Sequence, residues 1–230
     1  MLDRKYLWAA AFALVSGQAS MAQAATITVF PDVDMLTTFT LNNSRLDNDR
    51  LLLNVLGGGD NVLVSQKVIP SVIDNFYSSQ RGVTVTTETG ALSPRLLQGV
   101  DLLVMELQGT ANLYSPREVA AINAYMDGGG DVAFIAESGE PRIVASFNTL
   151  LADLGSMIVF ALARPIETHG DQIADTVLAT PLTDGVSAFS FAAAHPLTGG
   201  TAAIQDSGYA LVAFEQLRMP IPVPAAMPLL

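Results

Sequence analysis

Apolar residues in this chain recur in two patterns, short unbroken runs and stripes at three- and four-residue spacing, and the two alternate. Residues 115–139 (SPREVAAINAYMDGGGDVAFIAESG) show one full cycle. Ser115 is a favourable N-cap, Pro116 suits the first helical position, and Glu118 completes an S-x-x-E capping box, so a helix is predicted to start here. Val119, Ile122 and Met126 form its apolar stripe. Gly128 to Gly130 end it, because glycine accepts the left-handed C′ conformation without steric penalty. Residues 131–136 (DVAFIA) follow as an apolar run without polar alternation, the pattern of a strand covered on both faces. Glu137, Ser138 and Gly139 then fall at its carboxyl end, where open α/β sheets place their ligands.

The cycle repeats upstream. Residues 26–30 (TITVF) read as a strand, and 31–40 carry no clear pattern. Asp47 or Asn48 caps a helix through Leu51, Leu52 and Val55 that ends at Gly57 to Gly59, and 61–65 (NVLVS) form a core strand. Pro70 opens a helix through Val72, Ile73 and Phe76, and 82–88 (GVTVTTE) alternate as an outer strand. Ser93 and Pro94 open a short helix before the strand at 101–107 (DLLVMEL). Downstream, Ile143 to Leu154 form a helix closed by Gly155, and 157–161 a strand. From 171 to 214 the pattern changes to short β-prone runs at 173–178, 188–193 and 209–214, separated by Gly, Pro and Thr turns. The expectation is an α/β fold with a mostly parallel sheet, helices on both faces, and a β-rich C-terminal portion.

The two ends stand outside this alternation. Arg4 and Lys5, an apolar core from Tyr6 to Val15, and Ala22-Gln23-Ala24 make residues 1–24 a secretory signal peptide with an A-x-A site, so the mature chain is expected to begin near Ala25. Residues 217–230 (LRMPIPVPAAMPLL) form a proline-rich tail whose prolines forbid a regular helix. Between them, 25–47 read as an N-terminal strand and linker and 48–216 as the α/β domain.

Composition narrows the function classes. Half the residues are hydrophobic and 14% are charged, which excludes wholesale disorder. The formal charge is −11. Loss of residues 1–24 leaves 9 basic and 21 acidic residues, with Lys67 the only lysine. That balance argues against nucleic acid as a partner, since polyanion affinity rests on Lys and Arg. There is no cysteine, which removes disulfides, thiolate nucleophiles and Cys-based metal sites together.

Candidate chemistry concentrates at the expected strand ends: Ser65 and Gln66, Glu106 and Gln108, Glu137 and Ser138. The first and second pairs make a ligand-binding rim, while Glu137 and Ser138, with His169 as a base, are the catalytic candidates. His195 is the second histidine available, and no G-x-S-x-G elbow surrounds Ser138. Asp32 and Asp34 form the first acidic pair, with Asp47, Asp49 and Asp60 following. No D-x-[DN]-x-[DN]-G loop with a closing Glu is present, so these acids read as solvated turns and caps, and neither metal nor cofactor is expected. The Gly57 to Gly59 run precedes a strand and has neither phosphate-loop spacing, so it reads as a helix-ending turn.

Two resemblances add to this. DLLVMEL at 101–107, INAYMDGGGDVAFIAES at 122–138 and ATPLTDGVSAF at 179–189 together resemble the class I glutamine amidotransferase-like superfamily, over roughly residues 48–215. That resemblance implies a flavodoxin-like sandwich, with the family's cysteine nucleophile at the elbow that here reads Ala136-Glu137-Ser138-Gly139, so amidotransferase chemistry is not expected. Val223 to Leu230 (VPAAMPLL) resembles the opening of the VPxPA type of PEP-CTERM sorting signal, whose apolar span and basic cluster would follow Leu230, the chain as given being truncated there. The apolar tail is shorter than the ~20 residues a membrane-spanning helix needs. The combined expectation is an exported bacterial protein, periplasmic, cell-surface or extracellular, acting as a non-catalytic binding or scaffold module for an envelope or matrix ligand. The alternatives are a hydrolase using Ser138 or Glu137 and a divalent-cation-dependent adhesive or matrix protein; sequence sets no oligomeric state.

Overall fold

Unbroken apolar runs become interior strands here because each sends side chains into a core on both sides of the sheet. The computed structural model describes residues 24–67, 72–108, 114–137, 140–162, 172–192 and 194–217. Its strands are β1 (Thr26–Phe30), β2 (Asn61–Gln66), β3 (Thr84–Glu88), β4 (Leu102–Gln108), β5 (Asp131–Glu137), β6 (Val159–Phe160), β7 (Gln172–Ile173), β8 (Thr176–Val177), β9 (Ser190–Phe191), β10 (Leu197–Thr198), β11 (Thr201–Asp206) and β12 (Tyr209–Gln216). Its helices are α1 (Thr38–Leu41), α2 (Asn48–Leu56), α3 (Ile73–Ser78), α4 (Pro116–Asp127) and α5 (Pro141–Asp153), with 3-10 turns at Asp34–Leu36 and Pro181–Thr183.

The main sheet runs β3-β2-β4-β5-β1-β12-β10-β6, with β11 along β12 and β8 along β11, while β7 and β9 form a separate pair. From β3 to β1 every pairing is parallel, and β12 joins β1 antiparallel. The protein is therefore α/β, with a mostly parallel, mixed central sheet and a strand-rich C-terminal part. Its likeness to a flavodoxin-type sheet is loose: β3-β2-β4-β5 follow the order 2-1-3-4, but the next position is taken by the chain's own first strand. Residues 25–47 thus supply an interior strand as well as a connection.

The two faces have separate cores. Val62, Val64, Val104 and Ile135 pack with Leu51, Leu52 and Val55 of α2 and Ile73 and Tyr77 of α3. On the other face Leu63, Met105 and Phe134 pack with Ile122 and Met126 of α4 and Val144, Phe147 and Leu151 of α5, and the rings of Phe134, Phe147 and Phe160 meet at 5.9 to 6.5 Å. Helices cover both faces, as the apolar pattern requires.

Local signals that agree with their surroundings are realised. Ser115 and Glu118 form the reciprocal capping box, and β5 extends through Glu137. Gly57 ends α2 in the left-handed region at φ 63°. Four details differ. Gly128 keeps φ −82° and Gly129 takes the left-handed turn at φ 91°. The helix expected from Ser93 is only a turn, in which Leu96 and Leu97 N–H groups reach the Ser93 carbonyl, because too few residues precede Gly99 (φ 76°) to repay helix nucleation. Asp47 sits at the N-cap of α2, but its carboxylate accepts instead from the N–H and hydroxyl of Ser187 and the N–H of Ala188. Polar-looking residues 197–206, read as turns, form β10 and β11 because β12 offers them an edge. Pro70 lies outside the described residues.

Candidate functional site

Residues 62, 64 and 66 of β2 share a face with 102, 104 and 106 of β4, since side chains alternate along a strand. Val62, Val64, Leu102 and Val104 all lie in the α2/α3 core, which puts Gln66 and Glu106 on that same face at the carboxyl edge, directly paired in register. The chain leaves β2 to make β3 on one side and returns to make β4 on the other, so this pair stands at a topological switch point. Gln66 is 9% exposed and its Nε2 has no hydrogen-bond partner. Glu106 is half-buried beside it.

Ser65 points the other way. Its fully buried Oγ accepts a 2.9 Å hydrogen bond from the Tyr114 hydroxyl, so Ser65 is committed to packing and the expected rim is split between two faces. Burial, more than the neighbouring charges of Glu118 and Glu106, pushes the Tyr114 phenol well up. Above this contact Lys67 donates to Glu118 Oε1 and to the Gly90 carbonyl, both at 2.6 Å, and lies 5.2 Å from the Tyr114 ring centroid. Glu118 also accepts from Leu92 N–H, Ser115 N–H and the Ser115 hydroxyl. Burial alone would raise this carboxyl, but the bonds from Lys67, Ser115 and Leu92 outweigh it and hold Glu118 at about 2. Sequence reasoning found Glu118 as a cap and missed that it also neutralises Lys67.

Further along the edge, β5 ends at Glu137 on the face of Ala133 and Ile135, and its register partner on β4 is Gln108. β12 pairs with β1 through Ala213 to Gln216 and with β10 through Ala210. The sheet therefore divides where β1 stops, and the chain turns there through Asp32 and Asp34. Asp32, Asp34 and Glu137 each bring a carboxylate oxygen within 4.8 Å of the other two. Asp32 is 1% exposed; its Oδ1 accepts from Asp34 N–H at 2.8 Å, and its Oδ2 is buried without a hydrogen-bond partner. Burial first, then the charges of Asp34 and Glu137, push Asp32 up to about 7 against the pull of the Asp34 and Ala192 N–H groups.

The turn that carries these acids is anchored. Asn48, fully buried, donates to Met35 O at 2.6 Å and Ser190 O at 2.8 Å and accepts from Ser190 N–H at 2.9 Å. Thr40 Oγ1 gives Met35 O a second bond at 2.9 Å. Asn48, expected only as a helix cap, thus fixes the acidic turn against β9.

Of the sequence candidates, the fold brings Gln66 and Glu106 together and sets Glu137 beside Asp32 and Asp34. Ser138 and His169 lie outside the described residues. His195 is buried, with Nδ1 3.3 Å from the Ala161 carbonyl. A cavity of about 810 Å³ opens at the opposite, amino-terminal edge, bordered by Gly57 to Gly59, Gly128 to Gly130 and Asp101. Volume and chemistry therefore disagree about the site. At the cavity edge Asp101 already accepts from Asp60 and Asn61 N–H groups, and Tyr125 OH donates to the Asp101 and Asp131 carbonyls. Unmatched polar atoms lie at the carboxyl edge, and these define the site. No family model, curated protein or solved structure matches the chain.

Proposed function

We propose that the protein is an exported bacterial envelope protein acting as a non-catalytic binding or scaffold module, and that it binds through the carboxyl edge of β2 and β4. One observation carries the reading. Gln66 presents a buried amide Nε2 with no partner at the switch point, next to Glu106. A buried donor without a partner is costly, and a ligand oxygen would satisfy it. Lys67 supports the same reading negatively: its ammonium is already committed to Glu118 and the Gly90 carbonyl, which leaves it a poor anchor for an anionic ligand. A neutral or hydroxyl-rich envelope ligand, such as a polysaccharide, suits a strand edge that offers an amide and a carboxylate. The export signal at 1–24 and the VPxPA-like tail support localisation at the envelope. Among the described residues no helix is long and apolar enough to cross a membrane. Absence of cysteine removes the superfamily's thiol chemistry.

The test is co-sedimentation of the mature chain with purified peptidoglycan and with extracted extracellular polysaccharide, comparing wild type with Gln66→Leu. Retention of wild type and loss in the variant is expected. Equal sedimentation of both, or of neither, counts against the reading. Hydrolysis of ester, amide or glycoside substrates that disappears in Ser138→Ala or Glu137→Gln would replace it with the hydrolase alternative.

A further inference from the structure

We propose that Asp32, Asp34 and Glu137 form a binding site for a hard divalent cation, calcium foremost. The proposal goes beyond the binding-module reading and does not rest on it, because a purified chain can hold the ion with no other ligand present.

Three carboxylate oxygens from two segments far apart in sequence converge within 4.8 Å. Like charges so placed repel one another, and a fold keeps them together at a cost unless one of them keeps its proton or a positive charge sits among them. A solvated acidic patch would explain Asp34, which is exposed, but not Asp32. Asp32 is 1% exposed, and the one hydrogen bond to its Oδ1 leaves Oδ2 buried and without a donor. The Asp34 and Ala192 N–H groups act on this carboxylate, yet its Oδ2 remains a buried acceptor without a hydrogen-bond donor, and a cation is a partner this arrangement accommodates.

The supporting shell is built in the way a metal site requires. Glu137 comes from the end of an interior strand. Asp32 and Asp34 come from a turn whose Met35 carbonyl is held by both Asn48 and Thr40. Two ligands are thus fixed relative to the third before any ion arrives.

Ligand chemistry selects the ion class. The set is all oxygen, which favours calcium, magnesium or manganese over zinc, whose sites draw on nitrogen and sulfur. Ligand oxygens on opposite sides of a calcium ion, at about 2.3–2.6 Å from it, lie about 4.6–5.2 Å apart, whereas magnesium at about 2.0–2.1 Å needs them within about 4.2 Å. Oxygens that all lie within 4.8 Å of one another fall inside the span that calcium bridges. Exposed Asp34 leaves the outer part of the coordination sphere to water or to an oxygen of a bound partner.

The experiment uses the full chain stripped with chelator and titrated calorimetrically with calcium, magnesium and manganese chlorides, with thermal unfolding in parallel. One calcium per chain is expected, with a melting temperature that climbs with the logarithm of calcium concentration. Asp34→Ala, on an exposed turn, and Glu137→Gln should each weaken binding about tenfold or more with an unchanged circular dichroism spectrum. Asp184→Asn, another exposed acid elsewhere on the surface, should bind as wild type does. Magnesium or manganese binding with the same dependence on Asp34 and Glu137 upholds the site with a different ion of the class. No heat and no thermal shift with any of the three ions up to about 10 mM overturns the proposal. So does binding that Asp34→Ala and Glu137→Gln leave untouched, since that is diffuse counter-ion association. These outcomes are independent of whether polysaccharide binds at Gln66.

Discussion

Replacing Glu118 by glutamine would remove one charge from a crowded junction while keeping its size and one of its two accepting oxygens. In the wild type Glu118 takes bonds from Lys67, Leu92 and Ser115, and the Lys67 and Glu118 side chains are only 11% and 8% exposed. Two independent routes give the magnitude. Moving a carboxyl from its ordinary 4.5 to about 2 on folding corresponds to about 3 kcal/mol of stability at neutral pH. Breaking a buried ion pair from one side costs about 3–5 kcal/mol, because the other charge is left uncompensated. Glu118→Gln is therefore expected to destabilise by about 3 kcal/mol, and Lys67→Met/Glu118→Gln by about 1 kcal/mol, since the double variant leaves no orphan ammonium. The sign with pH is fixed: a depressed folded-state value gives stability that is complete above the unfolded value of 4.5 and fades as pH falls toward about 2. The gap between wild type and Glu118→Gln should accordingly shrink to about 1.5 kcal/mol at pH 3. Urea unfolding followed by far-ultraviolet circular dichroism at pH 7 and pH 3 measures both quantities. A gap below about 1 kcal/mol at pH 7, or one that does not narrow at pH 3, refutes the reasoning.

Three further outcomes follow from the same structure. Asn48→Ala should cost about 3 kcal/mol or more in urea unfolding, because it orphans the buried Ser190 N–H and carbonyl, and Asn48→Asp should not rescue it, since a carboxylate cannot donate to the Met35 and Ser190 carbonyls. Gly58 and Gly199 both hold positive φ, at 87° and 79°, but a Cβ at Gly58 meets open space while one at Gly199 would lie 2.2 Å from the Met157 carbonyl oxygen. Gly58→Ala should then cost only the left-handed penalty of about 1–2 kcal/mol, and Gly199→Ala clearly more, as compared by thermal melts. Tyr114→Phe should cost about 1 kcal/mol, and combining it with Ser65→Ala should add little, because both lose the same buried hydrogen bond.

What could be read from sequence divides by the range of the interaction. The Ser115 to Glu137 unit was legible because cap, stripe, glycine turn and apolar run all act within a few residues and agree. The Gly57 stop was legible for the same reason. Asp47 shows the limit: its type and position spell a cap, yet Ser187 and Ala188, brought up by the fold, take its carboxylate. β11 carries Thr, Ala and Gln with little apolar pattern and becomes a strand because β12 is beside it. At the candidate site, Gln66, Glu106 and Glu137 were found as strand-end polar residues. Gln66 and Glu106 were also legible as one rim, but the departure of Ser65 to the other face and the meeting of Glu137 with Asp32 and Asp34 were not, because these depend on strand order and on which face each residue occupies. Asp32 and Asp34 without Glu137 read as an ordinary acidic turn.

β1 lies between β5 and β12, and Leu217 N–H reaches back to the Ala25 carbonyl at 2.8 Å. Synthesis delivers β1 first among the strands and both of its partners much later, so its hydrogen-bonding groups wait for most of the chain to emerge. Contacts of such long sequence separation form slowly. This strand order delays closure of the sheet until β12 has been made, so the last strand synthesised, and not the first, sets when the sheet can close.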